Sequence, residues 1–417
     1  MEKAILVTVK LEHDKSTWDV VEREHELKEL AKTAGAEIVA EDVSHRDMPT
    51  PDLYIGKGKA EELTFQAAIK RAGLVIFNND LSGTQHRNLE KELNVKVVDR
   101  TQLILDIFAR HAKTLEGKTQ VELAQLEYSL PRLAGRGAEL SRLGGGIGTR
   151  GPGEQKLEVD RRRIRDRIIR LKQDLKSLEF RRSTTRVKRG EFSLPTVVFV
   201  GYTSAGKSTL FNALTGSQQQ VSSGLFTTLD PLTRAVFLPN KQKVLLADTV
   251  GFISQLPHHL VESFKATLEE VVKADLLVHV LDISSPKARE HFDAVCTVLT
   301  DLGAEKKTTV LAFNKIDLLE DEEKLKRLVK DTPDSVAISA LKHLNFDAFF
   351  QKIEDKLSGY SSEIDLLLPL DKMELVDFIY REGKVKEIDY TNSGVRMKAI
   401  LPVIAAKKLK EYAVSKK

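Results

Sequence analysis

TVVFVGYTSAGKS, residues 196–208, decides the fold of the chain's centre. A β-branched run, Thr196–Val200, predicts a strand. It feeds Gly201-x-x-x-x-Gly206-Lys207-Ser208, and the helix-forming TLFNALTG follows at once. A glycine-rich turn between a strand and a helix presents backbone N–H groups and a helix N-terminus to phosphate. On this reading Gly201, Tyr202, Thr203, Ser204, Ala205, Gly206, Lys207, Ser208 and Thr209 wrap the phosphates. Lys207 reaches the β- and γ-phosphates and Ser208 holds Mg²⁺.

Four further stretches complete the set, three at predicted strand ends and one in a loop. KVLLADTVGF places Asp248 where its carboxylate fixes Mg²⁺, with Gly251 three residues on as a γ-phosphate sensor. GLFTTLDP, in the loop before that strand, offers Thr228 as another Mg²⁺ ligand. TTVLAFNKID ends on Asn314, Lys315 and Asp317. A carboxylate at Asp317 accepts from both N1–H and the 2-amino group of guanine, whereas adenine leaves it unpaired. In AISAL, Ser339 braces the loop and the Ala340 N–H meets guanine O6, with Leu341 beside it. The set predicts a P-loop GTPase with its ligand at the carboxyl ends of the strands. Lys207, Thr228 and Gly251 are the expected catalytic groups. Where many GTPases carry a water-orienting glutamine after the DxxG glycine, this chain has Phe252, which cannot hydrogen-bond water that way. Slow intrinsic hydrolysis is expected, with a partner, or less favourably His258 and His259, supplying the missing function.

The rest of the chain surrounds this core. At 417 residues it is long enough for about three domains. Residues 1–112 alternate short apolar runs (Ala4–Val9, Glu37–Ala40, Leu74–Asn78, Val95–Val98) with helical stretches (Val20–Ala34, Lys59–Ala72), which predicts a small α/β domain with a mainly parallel sheet. IGKGKAEEL, from Ile55, reads as a plain turn before a helix rather than an anion site. Residues 113–190 form the next domain. Leu123, Leu126, Leu130 and Leu133, then Ile164, Ile168, Leu171, Leu175 and Leu178, follow coiled-coil spacing. They predict an antiparallel helical hairpin whose tip is the loop 134–153. That loop holds eight glycines together with Arg136, Arg142 and Arg150.

Between Pro131 and Gly190 there are 18 Lys+Arg and 7 Asp+Glu, on a chain whose net charge is only +4. Such a block fits a polyanion site. No aromatic residue lies between Ser129 and Glu179, so phosphate and shape contacts to RNA are expected rather than base stacking. The candidate RNA contacts are Arg136, Arg142, Gly144, Gly145, Gly146 and Arg150 at the tip, and Arg161, Arg162 and Arg163 on the following helix. Arg181–Gly190 reads as a basic linker, 191–360 as the GTPase domain, and 361–417 as a small α+β module. The overall expectation is a multidomain α/β protein. One cysteine, Cys296, excludes an intrachain disulfide framework and points to a reducing compartment. No apolar run reaches membrane-span length.

Taken together, RLGGGIGTRGPGEQKLEVDRRRI, GYTSAGKSTLFN, LFTTLDP, DTVGFI and NKID resemble the HflX family of translation GTPases over nearly the whole chain. The resemblance implies a GTP-hydrolysing, Mg²⁺-dependent protein that binds the large ribosomal subunit and its rRNA. It further implies that the hairpin loop is placed toward the peptidyl-transferase region and that stalled ribosomes are split, notably under stress. In some members the N-terminal domain is linked to ATP binding; no ATP motif is legible in residues 1–110. The chain departs from the family at Ser204, where many members have an asparagine associated with potassium-assisted hydrolysis. The alternative function is a GTP-gated anti-association or assembly factor in which hydrolysis is only a timer. An ATP-driven RNA-remodelling enzyme is the weakest reading. A monomer and a cytoplasmic location are expected, with peripheral membrane association left open.

Overall fold

A computed structural model describes residues 1–13, 18–133, 152–189, 194–217, 224–226, 232–254, 265–319, 321–391 and 394–414. The chain divides into two compact units, Met1–Phe180 with Ser222–Asp230 and Gln255–Ala266, and Arg181–Val221 with Pro231–Ser254 and Thr267–Lys417.

The first unit opens with β1 (Glu2–Leu11), α1 (Val20–Thr33), β2 (Ala36–Arg46), α2 (Lys57–Lys70), β3 (Leu74–Phe77), α3 (Gly83–Leu93), β4 (Lys96–Val98) and α4 (Arg100–His111). Its four strands pair in the order β2-β1-β3-β4, all in parallel, as the strand–helix alternation predicts. Ile5, Val7, Val9, Val75 and Phe77 form one core with Leu63, Leu89 and Leu93 of the covering helices. Helix starts follow the sequence. Asp19 caps α1, Ser82 and Gln85 form a capping box on α3, and Asp99 caps α4. The Ile55 stretch is a turn, with Gly56 at φ 81° before α2. Phe226 also belongs to this unit, edge-on to Phe108 at 4.8 Å, and the Leu225 N–H donates to Thr33 Oγ1 at 3.1 Å.

Helices α5 (Leu115–Arg132) and α6 (Pro152–Arg189) follow. The end of α5 is tied to the sheet domain: Arg132 lies over the Tyr128 ring and pairs with fully buried Asp99 at 3.1 Å. The expected seam forms. Leu123, Ile168 and Leu171 are buried together, with Leu126, Leu130, Ile164 and Leu175 packed against them. Leu133 and Leu178 are half-buried outside that cluster. Two ion pairs flank the seam, Glu122–Arg167 at 2.7 Å and Glu127–Lys172 at 2.8 Å. In heptad positions these are g–g′ and e–e′ pairs, the combination that antiparallel helices bring together. Exposed pairs of this kind contribute only about 0.2–1 kcal/mol each, so they specify register more than stability.

One expectation is corrected. Arg181–Gly190 is not a linker: α6 continues to Arg189. Nothing between Gly153 and Gly190 is Gly or Pro, and Arg and Lys are good helix formers, so the helix has no reason to stop. The helix also starts before the expected end of the tip loop, with Pro152 at its first position, where proline is well tolerated.

The second unit carries β5 (Thr196–Val200), α7 (Lys207–Thr215), β6 (Leu232–Phe237), β7 (Lys243–Asp248), α8 (Lys265–Lys273), β8 (Leu276–Asp282), α9 (Ala288–Asp301), β9 (Thr309–Asn314), α10 (Glu322–Asp331), β10 (Ser335–Ala337) and α11 (Phe346–Lys356). The sheet order is β10-β9-β8-β5-β7-β6, with only β6 antiparallel to its neighbour. Central strands are buried on both faces, so β5 and β8 read as continuous apolar runs. The chain then forms β11 (Ser361–Leu368), α12 (Met373–Glu382), β12 (Lys384–Thr391), β13 (Gly394–Pro402) and α13 (Val403–Lys408). These make an antiparallel sheet, β11-β13-β12, with its own core, as the α+β reading expects.

Candidate active site

The turn between β5 and α7 begins at Gly201 and ends at Gly206, and both glycines are required by geometry. A Cβ on Gly201 would lie 2.3 Å from the Val280 carbonyl oxygen of β8. A Cβ on Gly206, whose φ is 95°, would lie 2.3 Å from Asn314 Nδ2. The turn therefore presses against the strands carrying the other predicted ligands. Asn314, at the end of β9, donates to the Ala205 carbonyl at 2.8 Å and accepts from the Ala340 N–H at 2.9 Å. One buried amide thus joins the phosphate loop to the AISAL loop. In this arrangement the Ala340 N–H, expected to face guanine O6, is engaged within the protein. Ser339 is buried and its Oγ accepts from the Lys342 N–H at 3.1 Å, the bracing role the sequence predicts. Lys315, at φ 65°, turns the chain into the short helix Ile316–Leu318 and binds Asp282 Oδ2 at 2.5 Å. Asp317 is half-buried and Leu341 exposed, at the rim.

Ser208 Oγ donates to Asp248 Oδ2 at 2.6 Å. A hydroxyl and a carboxylate in contact are hard oxygen donors of the kind Mg²⁺ takes. No group of three or more His, Cys, Asp or Glu side chains able to hold a metal occurs among the described residues. A single carboxylate with hydroxyls is instead the donor set of a nucleotide-linked Mg²⁺.

Lys207 is 6% exposed and donates to the carbonyls of Gly201 at 3.0 Å and Tyr202 at 2.7 Å. Burial pushes its ammonium down to about 8, against the opposing pull of Asp248. Phosphates beside it would hold the proton on. As pH rises through about 8 the free protein releases that proton, and nucleotide must restore it on binding. GDP affinity is therefore expected to be level below that pH and to fall above it, by up to about tenfold per pH unit. Calorimetry at about pH 9 in buffers of different ionisation enthalpy should register proton uptake on binding. Its absence would mean either that Lys207 keeps its proton in the free protein or that it does not face the phosphates.

Gly251 packs on the phosphate loop: a Cβ there would be 3.0 Å from Thr203 Cα and 3.1 Å from Lys207 Nζ. Phe252 is 2% exposed, so its ring offers nothing to an attacking water. Thr228, His258 and His259 lie outside the described residues, as do Arg136, Arg142, Gly144, Gly145, Gly146 and Arg150. On α6, Arg161 is half-buried while Arg162 and Arg163 are exposed. Sequence reasoning missed the joining role of Asn314 and the side-chain role of Tyr202, a variable position of the loop pattern. No helix among the described residues is long and apolar enough to cross a membrane.

Family models match along the chain in order. "GTP-binding GTPase N-terminal" covers residues 22–109, "GTP-binding GTPase Middle Region" 111–189, "50S ribosome-binding GTPase" 196–315 and "HflX C-terminal domain" 324–412. The chain is 47% identical over 414 residues to the GTPase HflX of Caldanaerobacter subterraneus subsp. tengcongensis, covering 99% of itself and 94% of that protein. It belongs to the HflX family. With the GTPase HflX of Escherichia coli it shares 40% identity over 410 residues, 98% of this chain and 95% of that one. A solved structure described as the SsGBP and GDP complex is similar at a TM-score of 0.50 and 26% identity, covering 86% of this chain and 99% of that one. This HflX chain is accordingly a P-loop GTPase, a hydrolase of the ribosome-associated GTPase family. Ser204, the expected departure from the family pattern, is exposed at φ 58°.

Proposed function

We propose that this HflX chain binds the large ribosomal subunit and its rRNA through the basic hairpin, splits stalled ribosomes under stress, and hydrolyses GTP faster when bound there. The hairpin carries this reading. Its helices are locked by an apolar seam and two flanking ion pairs, and α6 presents Arg162 and Arg163 to solvent. The description of the matching GTPase model, "50S ribosome-binding GTPase", supports the same partner.

Within the site, Lys207 and the loop amides from Gly201 to Thr209 hold the phosphates, Asn314, Lys315 and Asp317 read guanine, and Ser339, Ala340 and Leu341 close the base pocket. Ser208, Asp248 and Thr228 would hold Mg²⁺, which would supply neutralisation of the phosphate charge. The protein acts as a monomer in the cytoplasm. The buried Phe252 also gives weight to the timer reading, in which GTP binding gates association and slow hydrolysis permits release. Ribosome splitting by the protein loaded with a non-hydrolysable GTP analogue would favour that version.

The test is the steady-state GTPase rate with and without purified large subunits. A rise of roughly 10²-fold or more is expected, since a partner must supply what Phe252 lacks. Arg136→Ala, Arg142→Ala and Arg150→Ala together should weaken subunit binding and lower its salt dependence by about two to three in log–log slope. No rise despite demonstrated binding, or unchanged affinity of the triple variant, would overturn the proposal.

A further inference from the structure

The pairing of β5 with β7 does not stop at the phosphate loop. Phe199 lies opposite Asp248, and after the start of the loop the pairing resumes: Tyr202 and Phe252 form a parallel bridge. The Phe252 N–H donates to the Gly201 carbonyl at 3.1 Å, and the Thr203 N–H donates to the Phe252 carbonyl at 2.7 Å. A third bond comes from a side chain. Tyr202 Oη accepts from the Ser254 N–H at 2.8 Å. The Tyr202 ring is stacked on His291 of α9, centroids 4.2 Å apart and planes 16° from parallel. Tyr202, Thr203, Phe252 and Ser254 are all buried.

This arrangement holds Gly251 close enough to Lys207 that a Cβ added at Gly251 would lie 3.1 Å from Lys207 Nζ. A γ-phosphoryl group held by Lys207 and read by the Gly251 N–H needs room between those two groups. Among the described residues, three hydrogen bonds hold the two groups together, one of them through a side chain.

We propose that Tyr202 is a positioning residue for the GTPase cycle: its hydroxyl latches the Gly251–Ser254 segment onto the phosphate loop and sets how strongly the protein favours GDP over GTP. The proposal rests on the reading of Lys207 and Gly251 as γ-phosphate ligands. GDP leaves the latch closed, whereas GTP must first withdraw the segment. A ligand shifts an equilibrium only by its differential affinity for the two states, so part of the GTP binding free energy is spent on opening. His291 holds the ring from the far side, so the hydroxyl is presented to Ser254 in one orientation.

Tyr202→Phe keeps the ring, the stacking and the backbone bridge and removes one hydrogen bond. The measurement is the ratio of affinities for GDP and a non-hydrolysable GTP analogue, by fluorescent-nucleotide titration. The analogue should bind about three- to tenfold more tightly relative to GDP than in the wild type, the effect of one neutral hydrogen bond. Retained GDP binding, whatever its affinity, is the reference for that ratio, and a general loss of structure would not allow it. Amide exchange in the GDP-bound protein should show faster exchange at Phe252 and Ser254 in the variant. An unchanged ratio together with unchanged exchange would overturn the latch. Undiminished binding of both nucleotides by Lys207→Ala would instead overturn the site reading beneath it.

Discussion

Asp317→Asn is expected to lower GTP affinity by about 10³-fold or more while raising affinity for xanthosine triphosphate. The carboxylate follows β9 in the turn Ile316–Leu318, steered there by Lys315 in a left-handed conformation. Guanine presents two donors, N1–H and the 2-amino group, that a carboxylate accepts together. An amide presents one oxygen and one N–H₂, so one of the two pairings becomes donor against donor. Sites built to hydrogen-bond a substrate reject the wrong partner by about 10⁴–10⁵, because a desolvated group is left unpaired. Xanthine carries a carbonyl where guanine carries the amino group, and the asparagine N–H₂ then has an acceptor. Asp317 is half-buried at the rim and the amide is isosteric with the carboxylate, so the change in stability is expected to be small, about 0.5 kcal/mol. Competition between GTP and xanthosine triphosphate for a fluorescent nucleotide measures the switch. Equal loss of both would show that the variant has lost the site altogether; retained GTP preference would show that Asp317 does not read the base.

The parts of this site that were legible in the sequence are those where chain chemistry and strand position coincide. Ser208 and Asp248 are forty residues apart, yet one opens the helix after the phosphate loop and the other ends β7 beside it, and the structure puts them in contact. The seam of Leu123, Leu126, Leu130, Ile164, Ile168, Leu171 and Leu175 was legible for the same kind of reason, since its spacing matches a helix surface. The end of α6 was not. A charged run with serine and threonine has little apolar periodicity, and composition alone does not distinguish a solvated helix from a linker. Tyr202 was hidden for another reason. A motif fixes its glycines, lysine and serine and leaves the intervening side chains open. The role of the Tyr202 hydroxyl depends on where Ser254 comes to lie, which is a tertiary fact. Asn314 lies between these cases: its place at the base pocket follows from the pattern, but its internal bonds to Ala205 and Ala340 do not.

Alanine placed at four glycines should separate backbone strain alone from strain combined with steric exclusion, and the largest losses are expected at Gly201 and Gly206. Gly58, in α2, has nothing within 4 Å of the added Cβ, and its replacement should be neutral or stabilise by up to about 1 kcal/mol through helix propensity. Gly216, which ends α7 at φ 63°, also has open space, so Gly216→Ala should cost only the left-handed conformation, about 1–2 kcal/mol. Gly201→Ala, at φ 156°, is strained and also drives a methyl into the Val280 carbonyl at 2.3 Å. Because that oxygen belongs to a central strand, the sheet itself must shift, an overpacking cost of about 1–3 kcal/mol or more. Gly206→Ala likewise combines both penalties, since φ is 95° and the methyl would meet Asn314 Nδ2 at 2.3 Å. The Asn314 amide cannot simply rotate away, because it is bonded to Ala205 on one side and Ala340 on the other. A loss of about 3–5 kcal/mol is therefore expected, together with loss of guanine nucleotide binding. Thermal melts of the four variants with and without GDP rank them. If Gly206→Ala melted no lower than Gly216→Ala, the contact between the phosphate loop and Asn314 would not be a constraint. If it melted lower yet bound GDP normally, the loop would hold the fold without shaping the nucleotide site.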